Sequence, residues 1–159
     1  MNKKTLVTYF SASGTTAGVA KKLAGALGSD IYEITPQQPY TSADLNWNNK
    51  NSRSSIEMND PDCRPAIKGN IPDIESYDSI FVGFPIWWYV APRIINTFLE
   101  SANFTGKKII PFATSGGSGM GVTNTMLESS CPGATLLQGK VLRESFSESG
   151  LKTWAESLI

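Results

Sequence analysis

Histidine is absent from the 159-residue sequence, and cysteine occurs only twice, as Cys63 and Cys131. The absence of histidine excludes Ser-His-Asp and Cys-His catalysis and removes the commonest metal ligand of proteins. Neither cysteine belongs to a Cys-x-x-Cys pair, so we expect no zinc site and two reduced thiols without a redox role. We therefore predict no catalytic side chain and no metal ligand, and any chemistry near neutral pH would come from a bound cofactor.

An excess of charge of one sign is also missing. Lysine and arginine together number 14, and aspartate and glutamate together also number 14, so the formal net charge is zero. We accordingly expect neither nucleic acid nor a membrane surface as a partner. The sequence contains no signal-like start and no apolar run long enough for a bilayer, which predicts a cytoplasmic location. Its length and its 40% hydrophobic content suit a single domain over residues 1–159.

A hydroxyl-rich turn lies between a predicted strand and a predicted helix near the start of the chain. The strand is the apolar run 6–10, and the helix carries Val19, Leu23 and Leu27 at four-residue spacing. The turn between them contains four hydroxyl groups, on Ser11, Ser13, Thr15 and Thr16. Free N–H groups at a helix start, together with hydroxyl donors, favour an anion such as a phosphate. The alternative is that these residues only cap the helix.

Strand and helix patterns alternate along the rest of the chain. Apolar, β-prone runs predict strands at 30–34, 79–84, 108–113 and 135–142, the last one broken around 138–140. Helical spacing of apolar residues predicts further helices near 92–99, 122–130 and 151–158. Pro111 interrupts the fourth strand, where we expect a local bulge. The alternation predicts an α/β domain with a parallel sheet and helices on both faces.

Residues 37–76 form a long polar insertion between the second and third strands. They are rich in Asn, Ser and Pro, and only a short helix within 43–58 is indicated. The segment nevertheless carries Tyr40, Leu45 and Trp47, which a disordered connection would contain less often. We interpret it as a cover over a binding site, and the alternative is an ordered loop without a function.

Unusual residues follow three of the predicted strands, at 11–16, 85–89 and 114–119. The second turn contains Trp87, Trp88 and Tyr89, which cannot all face the core, and the third is rich in glycine. In parallel α/β sheets, ligands bind beyond the carboxyl ends of the strands. A phosphate site, an aromatic wall and a glycine-lined edge together indicate a pocket for a flat phosphorylated heterocycle, and FMN fits that description.

Several motifs between Leu6 and about Leu142 carry a resemblance to a known family. The clearest are Tyr9-Phe10-Ser11-Ala12-Ser13-Gly14-Thr15-Thr16 and Pro85-Ile86-Trp87-Trp88. The chain resembles the flavodoxins, in particular the short flavodoxin-like FMN-binding proteins with a Pro-Ile-Trp-Trp second loop. The resemblance implies a three-layer fold whose five parallel strands have the order 2-1-3-4-5.

The resemblance also implies FMN as the cofactor and assigns its contacts to the three turns. The implied residues are Ser11, Ser13, Gly14, Thr15 and Thr16 at the phosphate, Pro85, Ile86, Trp87 and Trp88 along the ribityl chain and ring, and Thr114, Ser115, Gly116, Gly117, Ser118 and Gly119 at the ring edge. The sequence does not indicate which indole stacks on the flavin.

The predicted function is electron transfer through bound FMN, with a redox protein or a small-molecule electron acceptor as the partner. The balanced charge departs from the acidic surface common among flavodoxin carriers, which disfavours electrostatically steered docking. One alternative is therefore a small FMN-dependent reductase that uses NAD(P)H and quinone-type acceptors, with residues 37–76 shaping its substrate site. The alternative of another class is a flavin-free module that binds a different phosphorylated ligand.

Overall fold

The computed structural model describes residues 4–115 and 119–159, and the structural statements below refer to these residues. The strands are β1 (Thr5–Tyr9), β2 (Asp30–Glu33), β3 (Ser79–Pro85), β4 (Lys108–Thr114), β5 (Thr135–Leu136) and β6 (Lys140–Val141). The helices are α1 (Thr15–Leu27), α2 (Arg53–Asn59), α3 (Arg93–Glu100), α4 (Thr123–Leu127) and α5 (Glu148–Glu156), with short 3₁₀ turns at Ile74–Ser76 and Glu128–Ser130.

The described strands form one sheet with the order β2-β1-β3-β4-β5, and β6 also pairs with β4. These strand pairings are parallel. The predicted fold class and strand order are therefore confirmed. β2 lies at an edge of the sheet, and its Ile31 side chain is exposed.

The sheet is buried on both faces because successive side chains of a strand point to opposite sides. On β3, Ile80, Val82 and Phe84 pack in the cluster that contains the apolar residues of α3. Phe81, between them, packs in a second cluster with the buried residues of α1 and α5. The continuous apolar run of β3 is thus explained by helices on both sides.

The bulge expected at Pro111 is wrong. β3 and β4 pair in one uninterrupted register, in which Val82 lies opposite Pro111. The carbonyls of Ile109 and Ala113, two residues before and after Pro111, accept hydrogen bonds from the fifth-strand segment, so the nitrogen of Pro111 faces that segment too. The segment is interrupted there, between β5 and β6, and the missing N–H of proline costs no ladder bond of β3.

Two predicted helices differ in extent from the structure. The helix expected over 122–130 has only one regular α-helical part, α4, and continues as a 3₁₀ turn. The short helix indicated within 43–58 is α2, which begins after Ser52, whose hydroxyl accepts from the Ser55 N–H. The Ser52 cap sets the start of α2, whereas neither α4 nor the 3₁₀ turn after it has a side-chain N-cap, and apolar spacing does not show where one gives way to the other.

Candidate functional site

The first turn follows β1 and opens α1 with a serine cap. The Ser11 hydroxyl oxygen accepts from the backbone N–H groups of Gly14, at 3.0 Å, and Ala17, at 3.2 Å. Gly14 has a φ of 97°, a left-handed conformation that glycine adopts without steric cost. Ser13 and Thr15 are exposed beside it. The alternative that these residues only cap the helix thus explains the role of the Ser11 oxygen. It does not explain the exposed Ser13 and Thr15 hydroxyls at the start of the helix.

Thr16 differs from its neighbours because its side chain is buried. Its hydroxyl oxygen lies 2.7 Å from that of Thr114, at the end of β4, and both residues are 5% exposed or less. This hydrogen bond joins the first turn to the third. Contact of the Thr16 hydroxyl with a phosphate stays a prediction, and the structure adds a second role for it, as a link between the turns.

The second turn has a strained backbone at two aromatic residues. Trp87 and Val90 exchange backbone hydrogen bonds of 2.9 and 3.1 Å, and Trp88 and Tyr89 between them have φ values of 49° and 66°. Positive φ at both central residues defines a type I′ turn, which usually contains Asn and Gly. Such strain costs on the order of 1–3 kcal/mol for each residue and is concentrated at functional sites. The turn presents Trp88 and Tyr89 to solvent.

The second and third turns are held against each other by backbone contacts. The Ile86 N–H donates to the Thr114 carbonyl at 2.9 Å, and the Val122 N–H donates to the Tyr89 carbonyl at 3.2 Å. Gly121 has a φ of 58°, and a Cβ atom there would lie 2.3 Å from the Tyr89 carbonyl oxygen. Only glycine allows this close approach.

The two indoles of the second turn have different surroundings. The Trp87 ring makes edge contacts with Phe10, at 5.8 Å between centroids, and with Tyr40, at 5.5 Å. Trp88 is 44% exposed. Trp87 is half-buried and packs between the first turn and the insertion, and Trp88 is the more exposed of the two indoles.

The described residues of all three predicted turns are therefore brought together at the carboxyl end of the sheet. Pro85 and Ile86 are half-buried at the start of the second turn, Ser115 is half-buried after β4, and Gly119 is exposed. The predicted contacts at Gly116, Gly117 and Ser118 lie outside the described residues.

A network that sequence reasoning missed fixes the insertion beside these turns. Arg53 donates to the Glu57 carboxylate at 2.9 Å and lies 3.8 Å from the centre of the Tyr40 ring. Tyr40 in turn donates to Glu57. Burial, followed by the hydrogen bond to Glu57, raises the pKa of Tyr40 above its ordinary value. The Tyr40 hydroxyl is consequently neutral and donates to Glu57, and this hydrogen bond holds the Tyr40 ring against Trp87.

Two further arginines attach the insertion to α3. Arg93, which is 4% exposed, donates to the carbonyls of Met58, at 2.8 Å, and Glu57. Arg64 donates to the Glu100 carboxylate at 2.9 Å and holds the pKa of Glu100 below its ordinary value. The only sign of these contacts in the sequence is that α3, which is otherwise largely apolar, begins with Arg93 and ends with Glu100.

A pocket of about 210 Å³ lies between the insertion and the second turn. The described residues that line it are Leu45, Trp47, Ser54, Ile86, Trp87 and Trp88. The cover predicted for residues 37–76 thus adjoins the aromatic turn, although its role as a cover stays a prediction.

The cysteines do not contribute to this site. Both Cys63 and Cys131 are free thiols, and burial raises the pKa of each above its ordinary value. A raised pKa keeps a thiol protonated and unreactive near neutral pH.

Comparison with known proteins identifies the family of the chain. A sequence model of the flavodoxin family matches residues 4–158, nearly the whole chain. The chain belongs to the flavodoxin family. No curated protein matches the sequence. Within residues 4–115 and 119–159 there is no cluster of metal-ligating side chains and no helix long and apolar enough to cross a membrane.

Solved structures of other flavoproteins resemble this family member over its full length. A protein of Bacteroides eggerthii DSM 20697, provisionally described as a flavoprotein, is 53% identical, with a TM-score of 0.92 and coverage of 99% of this chain and 98% of its own. A similar protein of Bacteroides uniformis ATCC 8492 is 48% identical, with a TM-score of 0.91 and coverage of 98% and 99%. A flavoprotein of Lactobacillus acidophilus NCFM in complex with FMN is 23% identical, with a TM-score of 0.72 and coverage of 97% and 99%, and shares the fold.

Proposed function

We propose that the protein binds FMN across its three turns and transfers electrons through it. The observation that carries the proposal is the contact between the turns, because the Thr16–Thr114 hydroxyl pair and the Tyr89–Val122 backbone bond bring a helix start and an exposed indole to one place. Membership of the flavodoxin family supports the same cofactor. So does the Lactobacillus acidophilus flavoprotein of the same fold, which was crystallised with FMN.

The first turn fits the phosphate of FMN. Ser13 and Thr15 present exposed hydroxyls at the start of α1, where backbone N–H groups and the helix dipole also favour an anion. The Ser11 oxygen already accepts two hydrogen bonds, which leaves its O–H proton as a donor. These donors are uncharged, so they would hold the phosphate by geometry rather than by ion pairing.

The second turn fits the ring of FMN. Trp88 offers an exposed aromatic face, and Trp87 is fixed behind it by Phe10 and Tyr40. Aromatic rings stack favourably and exclude water from a bound heterocycle. Bound FMN would supply the redox chemistry by taking up and releasing electrons. The protein would orient the ring and keep its surroundings apolar.

We propose as a second candidate a small FMN-dependent reductase that uses NAD(P)H and quinone-type acceptors. The observation that favours it is that the insertion adds Leu45, Trp47 and Ser54 to a pocket at the second turn, which would give a small-molecule acceptor a place beside the flavin ring. The balanced formal charge, which offers no field for steering a protein partner, points the same way.

One set of measurements tests the function and separates the two candidates. The absorption spectrum of the protein loaded with FMN should show bound flavin that is bleached by dithionite and restored by an added acceptor. Oxidation of NADH or NADPH in the presence of a quinone would support the reductase, and transfer only to cytochrome c would support the carrier. Failure to bind FMN would contradict both and would favour another phosphorylated ligand.

A further inference from the structure

The pocket between the insertion and the second turn has a composition suited to a flat, uncharged molecule. Three of the described lining residues are tryptophans, Trp47, Trp87 and Trp88, and two more, Leu45 and Ile86, are aliphatic. None of these described residues is charged, so the wall would desolvate a charged ligand without compensating it. Indole faces favour an aromatic ring over a flexible chain.

Trp47 is held in an exposed position by an ordered part of the insertion. Its side chain is 70% exposed. The backbone on either side of it is ordered in a series of hydrogen-bonded turns. In these turns the Asn48 N–H donates to the Asn46 side chain at 3.1 Å, and the Ser54 N–H donates to the Asp44 carbonyl at 3.0 Å. A large apolar side chain that lies mostly exposed at the rim of a pocket is suited to packing on a ligand.

Ser54 supplies the polar group of the pocket. The residue is 2% exposed, and its hydroxyl lies 3.5 Å from the Ser52 hydroxyl, at the outer limit of a hydrogen bond. The Ser52 hydroxyl makes a closer bond, of 2.9 Å, to Ser55. Because Ser52 donates its proton to Ser55, Ser54 is the donor of the long contact, and a ligand oxygen at ordinary hydrogen-bond distance would replace that weak bond. Apolar walls with one well-placed polar group are typical of small-molecule sites.

The pocket is smaller than the usual site of a drug-sized ligand. Pockets for drug-sized ligands have volumes of about 300–1,000 Å³, whereas this one has about 210 Å³. A molecule of one or two fused rings fits this volume better than the three-ring flavin with its ribityl phosphate. Ile86, Trp87 and Trp88 line the pocket and are also residues that we predict to contact the flavin, so the two ligands would be neighbours that share this wall.

We propose that this pocket binds the electron acceptor of the protein, a neutral quinone of one or two rings, with the Ser54 hydroxyl donating to a quinone carbonyl oxygen. The assignment of the ligand as an electron acceptor rests on the proposed function. The binding site itself is defined by the pocket.

The test is calorimetric titration of FMN-loaded and FMN-free protein with 1,4-naphthoquinone, in the oxidised state and without a reductant. We expect saturable binding of one molecule per chain. Ser54→Ala should weaken naphthoquinone binding about 2–10-fold and leave the binding of naphthalene, which has no carbonyl oxygen, unchanged. Trp47→Ala should weaken both ligands about 2–10-fold through lost ring contact.

Ile56→Ala is the matched control. Ile56 is an exposed apolar residue of α2, 57% exposed, outside the described lining of the pocket. The Ile56→Ala variant should bind naphthoquinone with the same affinity as the unmodified protein. Because Trp47 and Ile56 are both on the surface, neither change should affect folding, which the melting temperature would verify.

The outcomes separate this inference from the proposed function. Tight FMN binding without naphthoquinone binding, or with binding insensitive to Trp47→Ala and Ser54→Ala, would overturn the inference alone. A rise in the apparent Kd of FMN on adding naphthoquinone would overturn it as well, because the pocket would then be part of the flavin site. Loss of FMN binding in the unmodified protein would contradict the proposed function, whatever the quinone does.

Discussion

Gly121 shows how one residue controls the contact between two turns. A Cβ atom at this position would lie 2.3 Å from the Tyr89 carbonyl oxygen, and the residue has a φ of 58°. The same carbonyl accepts the Val122 N–H that joins the turns. Any side chain at position 121 would therefore separate the third turn from Trp88 and Tyr89.

We predict that Gly121→Ala weakens FMN binding at least about tenfold. A left-handed alanine costs roughly 1–2 kcal/mol, and the clash with the Tyr89 carbonyl adds to this cost. Flavin fluorescence titration of the FMN-free protein measures the affinity, and thermal denaturation measures the stability.

Gly106→Ala controls for the backbone strain. Gly106 has a φ of 78°, a Cβ atom there would have nothing within 4 Å, and the residue precedes β4 at the opposite end of the sheet. The Gly106→Ala variant should lose stability but bind FMN with normal affinity. Equal loss of affinity in both variants would show that strain, and not the contact between turns, is responsible.

At the scale of elements, the insertion is attached to the sheet by α3. The buried Arg93 guanidinium donates to carbonyls at the end of α2, and Arg64 reaches Glu100 at the other end of α3. Burial lowers the pKa of Arg93, but an arginine remains charged at any physiological pH. α3 thus contributes, together with the Tyr40 network, to positioning the segment that carries Trp47 and Ser54.

We predict that Arg93→Met destabilises the protein by about 1–3 kcal/mol, because buried carbonyls of α2 lose their donor. Hydrogen exchange of the α2 amides should accelerate more than that of β3. Arg64→Gln is the comparison, since its partly exposed ion pair contributes at most about 1 kcal/mol. Uniform acceleration across the sheet in Arg93→Met would mean that Arg93 stabilises the core and does not selectively hold the insertion.

These elements also show what the sequence could predict. β1, β3 and α1 were predictable because each is a local apolar pattern with one period. The broken fifth strand was predictable from its residues, but its match to Pro111 was not, because that depends on which neighbour the proline nitrogen faces. The attachment of α2 to Arg93 joins residues 35 and 36 positions apart in the chain. No local pattern encodes such contacts.

The same distinction holds for the candidate site. Gly14, the exposed hydroxyls and the aromatic turn were predictable because they follow strands whose carboxyl ends meet. The different environments of Trp87 and Trp88 were not predictable. The two residues are identical and adjacent in sequence, and only the backbone turn directs one side chain inward and the other outward. The pairing of Thr16 with Thr114 crosses 98 positions of the chain.

At the scale of the whole molecule, the two ends of the sheet have different roles. The carboxyl ends of the strands hold the candidate site, and the amino ends hold structural polar contacts. Among these, the Tyr77 hydroxyl donates to the Asp30 carboxylate at 2.7 Å, which joins the segment before β3 to the start of β2. This hydrogen bond, followed by burial, raises the pKa of Tyr77 to about 12.

We predict that stability falls at alkaline pH because of Tyr77. The pKa in the folded state lies above the ordinary tyrosine value of 10.0, so the contribution is fully present below pH 10 and is lost as the pH rises to about 12. Tyr77→Phe should lower the free energy of unfolding near pH 8 and flatten its decline between pH 10 and 12. Urea denaturation across this range measures both, and an unchanged decline would assign it to other groups.

The binding of FMN and riboflavin to Thr15→Ala tests the account most directly. The two flavins differ only in the phosphate, which we assign to the first turn. We predict that Thr15→Ala weakens FMN about 10–100-fold, the effect of a hydrogen bond to a charged group, while riboflavin affinity stays the same and Thr15→Ser retains normal FMN binding. Equal loss for both flavins, or no loss for FMN, would contradict the placement of the phosphate at the start of α1.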